Sequence, residues 1–342
     1  MRMILTSILA FGIAFGLSRW LARSSRAPRL FDHPNARSLH QRPIPRTGGL
    51  AVLGGLLVGG FLIGVTLPGA RTSLAFLLLG LTPLALISFL DDRRSVAARW
   101  RLLVHLGAAA SLMATGFVPD ALELPGLTPL LPRAITGLLA LLFVVWMINL
   151  YNFMDGMDGF AGGMAVIGFA ALAWLGRTDV GFAGFCLTVA AASAGFPACN
   201  FPPARIFLGD TGSTTLGFLA AACGLWGSRA GLFPFWAALL VFSPFIVDAT
   251  VTLLRRLARG ERVWEAHRSH YYQRLVLLGW GHRRTVLAEY ALMLACAGSA
   301  LLAVHLSPAA QLGLAGLWCG LYSLLLVGVG RLERRHATVS VP

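Results

Sequence analysis

Residues 134–163 read AITGLLALLFVVWMINLYNFMDGMDGFAGG. The first half of this stretch is almost wholly apolar, and a helix of ~20 such residues crosses the hydrocarbon of a bilayer. The polar half sets Asn149, Asn152, Asp155 and Asp158 at intervals of three, with a Gly behind each Asp. Residues three apart share a face while a helix lasts. The glycines argue that it ends here, leaving carboxylates and backbone N–H groups at an aqueous opening. An apolar span that finishes in four unpaired polar side chains predicts a membrane protein with its site at the mouth of the helices.

Composition agrees with that reading. The chain has 342 residues, 57% hydrophobic and 12% charged, with a mean hydropathy of +0.73, more apolar surface than a soluble fold hides. Eleven apolar runs are predicted to span, near 3–22, 48–67, 73–90, 102–118, 134–152, 160–176, 181–199, 213–229, 232–254, 286–305 and 311–330. The expected fold class is therefore all-α, a polytopic membrane protein of about eleven transmembrane helices, forming a single integral-membrane domain over 1–342. The run 3–22 reads as the first helix rather than a signal peptide, because no small-residue cleavage site follows it. The five Cys sit in or beside apolar runs and match no zinc spacing, so they read as small buried hydrophobes.

The net charge of +14 comes from Arg alone, since the chain contains no Lys. Nucleic acid does not explain it, because the Arg residues lie in short loops between apolar runs. Twenty-two of them fall on one side, in 23–47, 91–101, 255–285, the tail and Arg205; five fall on the other, Arg2, Arg71, Arg133, Arg177 and Arg229. The positive-inside rule then expects the first side to be cytoplasmic, the N-terminus periplasmic and the C-terminus cytoplasmic.

The polar clusters choose that same side. LDDRR (90–94) sets two adjacent carboxylates, Asp91 and Asp92, at a span end, where they repel unless a metal or an Arg compensates. GDTGS (209–213) has a Gly-flanked acid, Asp210, ahead of a helix start, which suits phosphate and a hard cation such as Mg²⁺. HRSHYYQR (267–274) puts His267 and His270 three apart beside Arg268, a phosphate-binding pattern with no third zinc ligand at a familiar spacing. His40 lies in a dense polar loop, whereas His33, His105, His282, His305 and His336 read as singletons. Asp248, inside a predicted span, is either functional or satisfied by a neighbouring Ser or Thr. Carboxylates, a divalent cation and many Arg at one membrane face suggest phosphoryl transfer between a soluble anion and a lipid.

These motifs, in this order, resemble the polyprenyl-phosphate N-acetylhexosamine-1-phosphate transferases, the MraY/WecA group of glycosyltransferase family 4. DHPNARSLHQRPIPRTGGLAV (32–52) is similar to the family's first polar segment. FLDDRRSVAARWRLLVH (89–105) is similar to its Asp-Asp motif, with Arg101 where Lys is common. NLYNFMDGMDGFAGG (149–163), NFPPARIFLGDTGSTTLG (200–217) and PFIVD (244–248) resemble three further elements. The resemblance implies transfer of an N-acetylhexosamine 1-phosphate from a UDP-sugar to undecaprenyl phosphate, with release of UMP, at the cytoplasmic face of a bacterial inner membrane. It assigns Asp210 to the Mg²⁺, with Mn²⁺ as a substitute, and Asp91 and Asp92 to the lipid phosphate. It places Asn149, Asn152, Asp155 and Asp158 at the nucleotide end, with Asp158 as a uracil contact. Asn200 and Phe207 would hold uridine, and His40, Arg101, His267, Arg268 and His270 would contact phosphate or sugar. The family often has an H-x-H-H run where this chain has His270, Tyr272 and Gln273. That departure points toward an initiator of O-antigen or a related glycan and away from the phospho-MurNAc-pentapeptide transferases, the alternative enzyme reading. An anion transporter is the rival class, and it would need its polar groups near mid-membrane. The expected partners are the UDP-N-acetylhexosamine, undecaprenyl phosphate and the bilayer, with no nucleic acid; a homodimer is compatible with the sequence.

Overall fold

The computed structural model describes residues 2–23, 30–34, 39, 42–121, 123–129, 131–263, 265 and 267–339. Among these the protein is all-α apart from one short hairpin. The helices are α1 (Arg2–Arg23), α2 (Gly48–Thr66), α3 (Arg71–Arg93), α4 (Ala98–Ala114), α5 (Arg133–Phe153), α6 (Phe160–Leu175), α7 (Val180–Gly195) and α8 (Pro197–Asn200). They continue as α9 (Gly209–Arg229), α10 (Phe235–Val241), α11 (Ser243–Ala258), α12 (Tyr271–Leu275), α13 (Gly281–Ala303) and α14 (Pro308–Val339). Strands β1 (Phe31–Asp32) and β2 (Ile44–Pro45) pair antiparallel, Phe31 opposite Pro45.

Each expected span has a helical counterpart. Among the described residues, seven helices are long and apolar enough to cross a membrane, or eight if the pair α10 and α11, bent by 77°, forms one broken span. The others fall short for stated reasons. Helix α4 has 17 residues and α6 has 16, and α9 opens on the polar run GDTGSTT. The span expected over 232–254 is broken at Phe242, where Pro244 starts a new helix. The span expected from 286 begins earlier, at Gly281.

Helix α9 is the axis of the bundle. Thr211 to Gly227 are buried on every face, and α3, α5, α2 and α6 pack around it. The outer helices show the opposite pattern, with Leu324 71%, Phe61 70% and Leu302 70% exposed. An apolar exterior around a buried axis is the arrangement that lipid favours, and the protein is a multi-pass membrane protein.

The chain reverses at one end of the bundle at the two sites where polar motifs were expected. Helix α5 stops at Phe153 and α6 starts at Phe160, with Gly159 at φ +77°. Gly209 enters α9 at φ +73°, where a Cβ would lie 2.7 Å from the Arg46 carbonyl and 2.9 Å from Asp92 Oδ1. Both positions lie in the left-handed region that only glycine enters cheaply.

Candidate active site

A cavity of about 660 Å³ opens at this end, lined from every polar motif of the chain. Its floor is the start of α9. Asp92, at the last turn of α3, accepts the amides of Asp210 and Thr211 at 2.9 Å each and the Thr211 hydroxyl at 2.6 Å. A carboxylate from one helix therefore caps the N-terminus of another, satisfying donors that would otherwise be orphaned. Its neighbour Asp91 points elsewhere, accepting the Val96 amide at 2.6 Å and Arg101 Nη1 at 2.7 Å. That same Nη1 lies 3.5 Å from Asp210 Oδ2. Asp210 also meets Asp91 and Asn152 through side-chain hydrogen bonds. Arg101 thus bridges two carboxylates that would repel each other without it.

The loop between α5 and α6 forms one wall. Burial, aided by the carboxylates of Asp210, Asp92 and Asp32, pushes the Asp155 carboxyl well above the usual carboxylate range. Asp158 is held on both oxygens, by the Ala204 amide at 2.9 Å and by His282 Nδ1 at 3.2 Å. Asn200 ties this loop to the next, accepting from the Gly159 amide at 2.8 Å and donating to the Ile206 carbonyl at 2.9 Å. The segment before α2 joins the same framework, because the Gly48 and Gly49 amides donate to the Phe207 and Leu208 carbonyls.

The connection from α11 to α12 closes the opposite wall. Arg256, 7% exposed, reaches Glu261 Oε2 at 2.8 Å and the carbonyls of Arg262 and Glu265 at 3.0 and 3.2 Å. Asp248 accepts the Tyr271 and Tyr272 amides at 3.0 and 3.1 Å, and its Oδ1 lies 3.2 Å from His270 Nδ1. The acid inside the span is thus the cap that fixes α12 and the His270 ring. Desolvation, with His270 and Arg256 nearby, pushes the His267 imidazole down to about 4, so it is neutral at pH 7.

A sequence profile described as Glycosyl transferase family 4 matches residues 74–228. The chain is 31% identical to a phospho-N-acetylmuramoyl-pentapeptide-transferase of Heliobacterium modesticaldum, over 85% of this chain and 94% of the relative. The chain belongs to glycosyl transferase family 4. It is also 29% identical to a probable undecaprenyl-phosphate N-acetylglucosaminyl 1-phosphate transferase of Bacillus subtilis, over 76% and 73% of the two chains. A decaprenyl-phosphate N-acetylglucosaminephosphotransferase of Mycobacterium tuberculosis, strain H37Rv, is 29% identical over 84% of this chain and 78% of its own.

In this family 4 chain the cavity gathers most of the expected residues: Asp91, Asp92, Arg101, Asn152, Asp155, Asp158, Asn200, Phe207, Asp210, His267 and His270 all line it. Asn149 does not. It sits one turn below, donating to the Val145 carbonyl at 2.7 Å and lying 3.3 Å from His105 Nδ1 on α4. Arg268 is exposed and outside the lining, and His40 lies outside the described residues. Tyr272 is fully buried, and its hydroxyl donates to the Phe153 carbonyl at 3.1 Å, tying α12 to the end of α5. Gln273 completes the α12 start by accepting the His270 amide. The lining also holds Asp32, Arg46, Arg93, Arg94, Glu265 and His282. Of these, Arg46 had a visible signal in RTGG, next to the chain reversal. His282 had none, since it is brought in by α13 from beyond a helix break with Gly279 at φ 91°.

Proposed function

We propose that this protein transfers an N-acetylhexosamine 1-phosphate from a UDP-sugar to undecaprenyl phosphate, releasing UMP, at the cytoplasmic face of the membrane. One observation carries the reading: Arg101 bridges Asp91 and Asp210 on the floor of a cavity at the end of a membrane bundle, beside the buried start of α9. Such a floor suits phosphoryl chemistry, in which positioning and charge neutralisation supply most of the rate. The reaction class accords with the activities named for the relatives, and a volume near 660 Å³ accommodates a sugar nucleotide.

An oxygen of the lipid phosphate attacks the sugar-linked phosphorus in line. A new P–O bond forms to the lipid, the pyrophosphate P–O bond breaks, and UMP leaves with its electron pair. A phosphate monoester has a second pKa near ~6, so the nucleophile is largely ionised at neutral pH and Asp91 is not needed as a base. Arg101, Arg46, Arg93 and Arg94 line the cavity as cations for the phosphates. Asp92 keeps the Asp210 backbone in place through the cap.

The donor set fits Mg²⁺. The Asp210 and Asp91 carboxylates lie side by side as hard oxygen ligands. Among the described residues no three His, Cys, Asp or Glu are arranged as a metal cage. Mg²⁺ does not require one, since it is commonly held by one or two carboxylates, waters and substrate phosphates. Asp210, with Asp91 beside it, would hold the ion, which supplies neutralisation of charge on the diphosphate.

The test is an assay with purified protein, undecaprenyl phosphate and radiolabelled UDP-sugars, reading labelled lipid and released UMP. Asp210→Asn is expected to lower turnover at least 100-fold and to abolish its Mg²⁺ dependence. Retained Mg²⁺-dependent turnover in that variant overturns the ligand assignment, and no transfer from any UDP-N-acetylhexosamine overturns the function. Transfer from UDP-MurNAc-pentapeptide alone would instead select the phospho-N-acetylmuramoyl-pentapeptide transfer for which the Heliobacterium relative is named.

A further inference from the structure

His282 is the cavity residue least explained by packing. It stands in the first turn of α13, where its Nδ1 accepts the Asp158 amide at 3.4 Å and lies 3.2 Å from Asp158 Oδ1. The junction it bridges is already secured one residue away. The Tyr290 hydroxyl, two turns along the same helix, donates to the Gly159 carbonyl at 2.6 Å, and the Gly159 amide donates to Asn200. Asp158 has its second oxygen on the Ala204 amide. Holding α13 against the loop therefore does not require the imidazole. The ring is 20% exposed and lines the cavity, and among the described residues nothing engages its Nε2.

Contacts at Nδ1 fix a histidine's ring orientation and leave the far nitrogen to meet a ligand. With Nδ1 turned to Asp158, against both its carboxylate and its amide, His282 presents Nε2 to the cavity as its free hydrogen-bonding atom. Arg46, Arg101, Asp91, Asp155 and Asp210 gather around the α9 start, where phosphates belong. The region of Asp158, Asn200 and His282 is the less charged part of the lining. We propose that His282 binds the nucleoside of the sugar nucleotide, hydrogen-bonding through Nε2 to a polar atom of the uridine, with Asp158 orienting the ring. This assignment rests on the proposed function and adds a specificity contact to it.

Two isosteric variants separate binding from support. His282→Asn keeps an amide near the Nδ1 position for Asp158 and loses the reach of Nε2, whereas His282→Gln places its amide near Nε2. In the full-length protein, the Asn variant is expected to weaken UMP binding by calorimetry about 10-fold. It should raise KM for the UDP-sugar equally, with kcat within about 3-fold of wild type. The Gln variant is expected to stay within about 3-fold on both. The reverse order, Asn tolerated and Gln impaired, shows that His282 only holds Asp158 and overturns the proposal.

A second measurement needs no variant. UMP at saturation should protect His282 of the wild-type protein from acylation by diethylpyrocarbonate, read by mass spectrometry, and inorganic pyrophosphate should not. UMP that binds while His282 is still acylated overturns the assignment alone. Failure of the function is distinct, since it shows as no transfer and no UMP binding in the wild type.

Discussion

A single nitrogen, Arg101 Nη1, touches both Asp91 at 2.7 Å and Asp210 at 3.5 Å. Because one cationic atom does the bridging, the planar fork of Arg is not required, and a Lys Nζ can occupy the same place. Arg101→Lys is expected to keep turnover within about 10-fold of wild type, a change of ~1.4 kcal/mol in the barrier. Arg101→Ala, which leaves two carboxylates unbridged, is expected to lose at least 100-fold. Equal losses in steady-state turnover for the two variants would show that guanidinium geometry matters. Asp155 supports a prediction on stability. Its folded-state pKa lies above the unfolded value, so the favourable state of this group is the protonated one. The stability it contributes is complete below about pH 4 and is lost as pH rises through the raised pKa. Asp155→Asn, which cannot ionise, is therefore expected to melt with the wild type below about pH 4 and a few degrees above it at pH 8. Added Mg²⁺ should narrow the gap by favouring the wild-type carboxylate. A melting difference that shrinks with rising pH would contradict this account.

The start of α9 shows an element held by its neighbours rather than by its own sequence. The residue before it, Leu208, makes no side-chain cap. Asp92 supplies the cap from α3, and Gly209 supplies the turn, since any side chain there would strike Asp92 and the Arg46 carbonyl. In sequence terms Asp92 looked like half of a pair; in space the pair divides, with Asp91 facing Arg101 and Asp92 facing the helix. The same division of labour occurs at α12, which Asp248 caps from α11. Asp92→Asn retains one acceptor and sets an amide against backbone N–H groups. It is expected to destabilise the fold by about 1–3 kcal/mol, the cost of leaving a buried donor unpaired. Turnover should fall with it, because the Asp210 backbone loses its anchor. Tm and kcat measured on the same preparation check this; unchanged melting with lost turnover would place Asp92 on the substrate instead.

At the scale of the molecule, class and location were legible in the sequence because both rest on local composition. Long apolar runs predict helices, and Gly-flanked acids mark where those helices end, as Phe153 and Phe160 confirm around the 154–159 loop. What stayed hidden depends on contacts between distant segments: the Asp92 cap 118 residues from Asp210, the His282–Asp158 pair, and the 77° bend of α10 against α11. No window of sequence carries those distances. The proposed orientation across the membrane rests on how charge is divided between the two ends of the bundle. The cavity end carries Arg93 and Arg94 where α3 ends and Arg99 and Arg101 where α4 begins, whereas Arg71, Arg133, Arg177 and Arg229 are spread singly at the other end. Short loops rich in Arg are retained on the cytoplasmic side. Cysteine placed at Arg94 should therefore be shielded from a membrane-impermeant maleimide in intact spheroplasts and react after lysis, while cysteine at Arg177 reacts in both. Background from Cys319, the exposed native thiol, is removed by replacing it with Ser. Labelling of position 94 from outside would invert the topology and place the cavity beyond reach of cytoplasmic sugar nucleotides, so this measurement tests the proposed reaction as well as the fold.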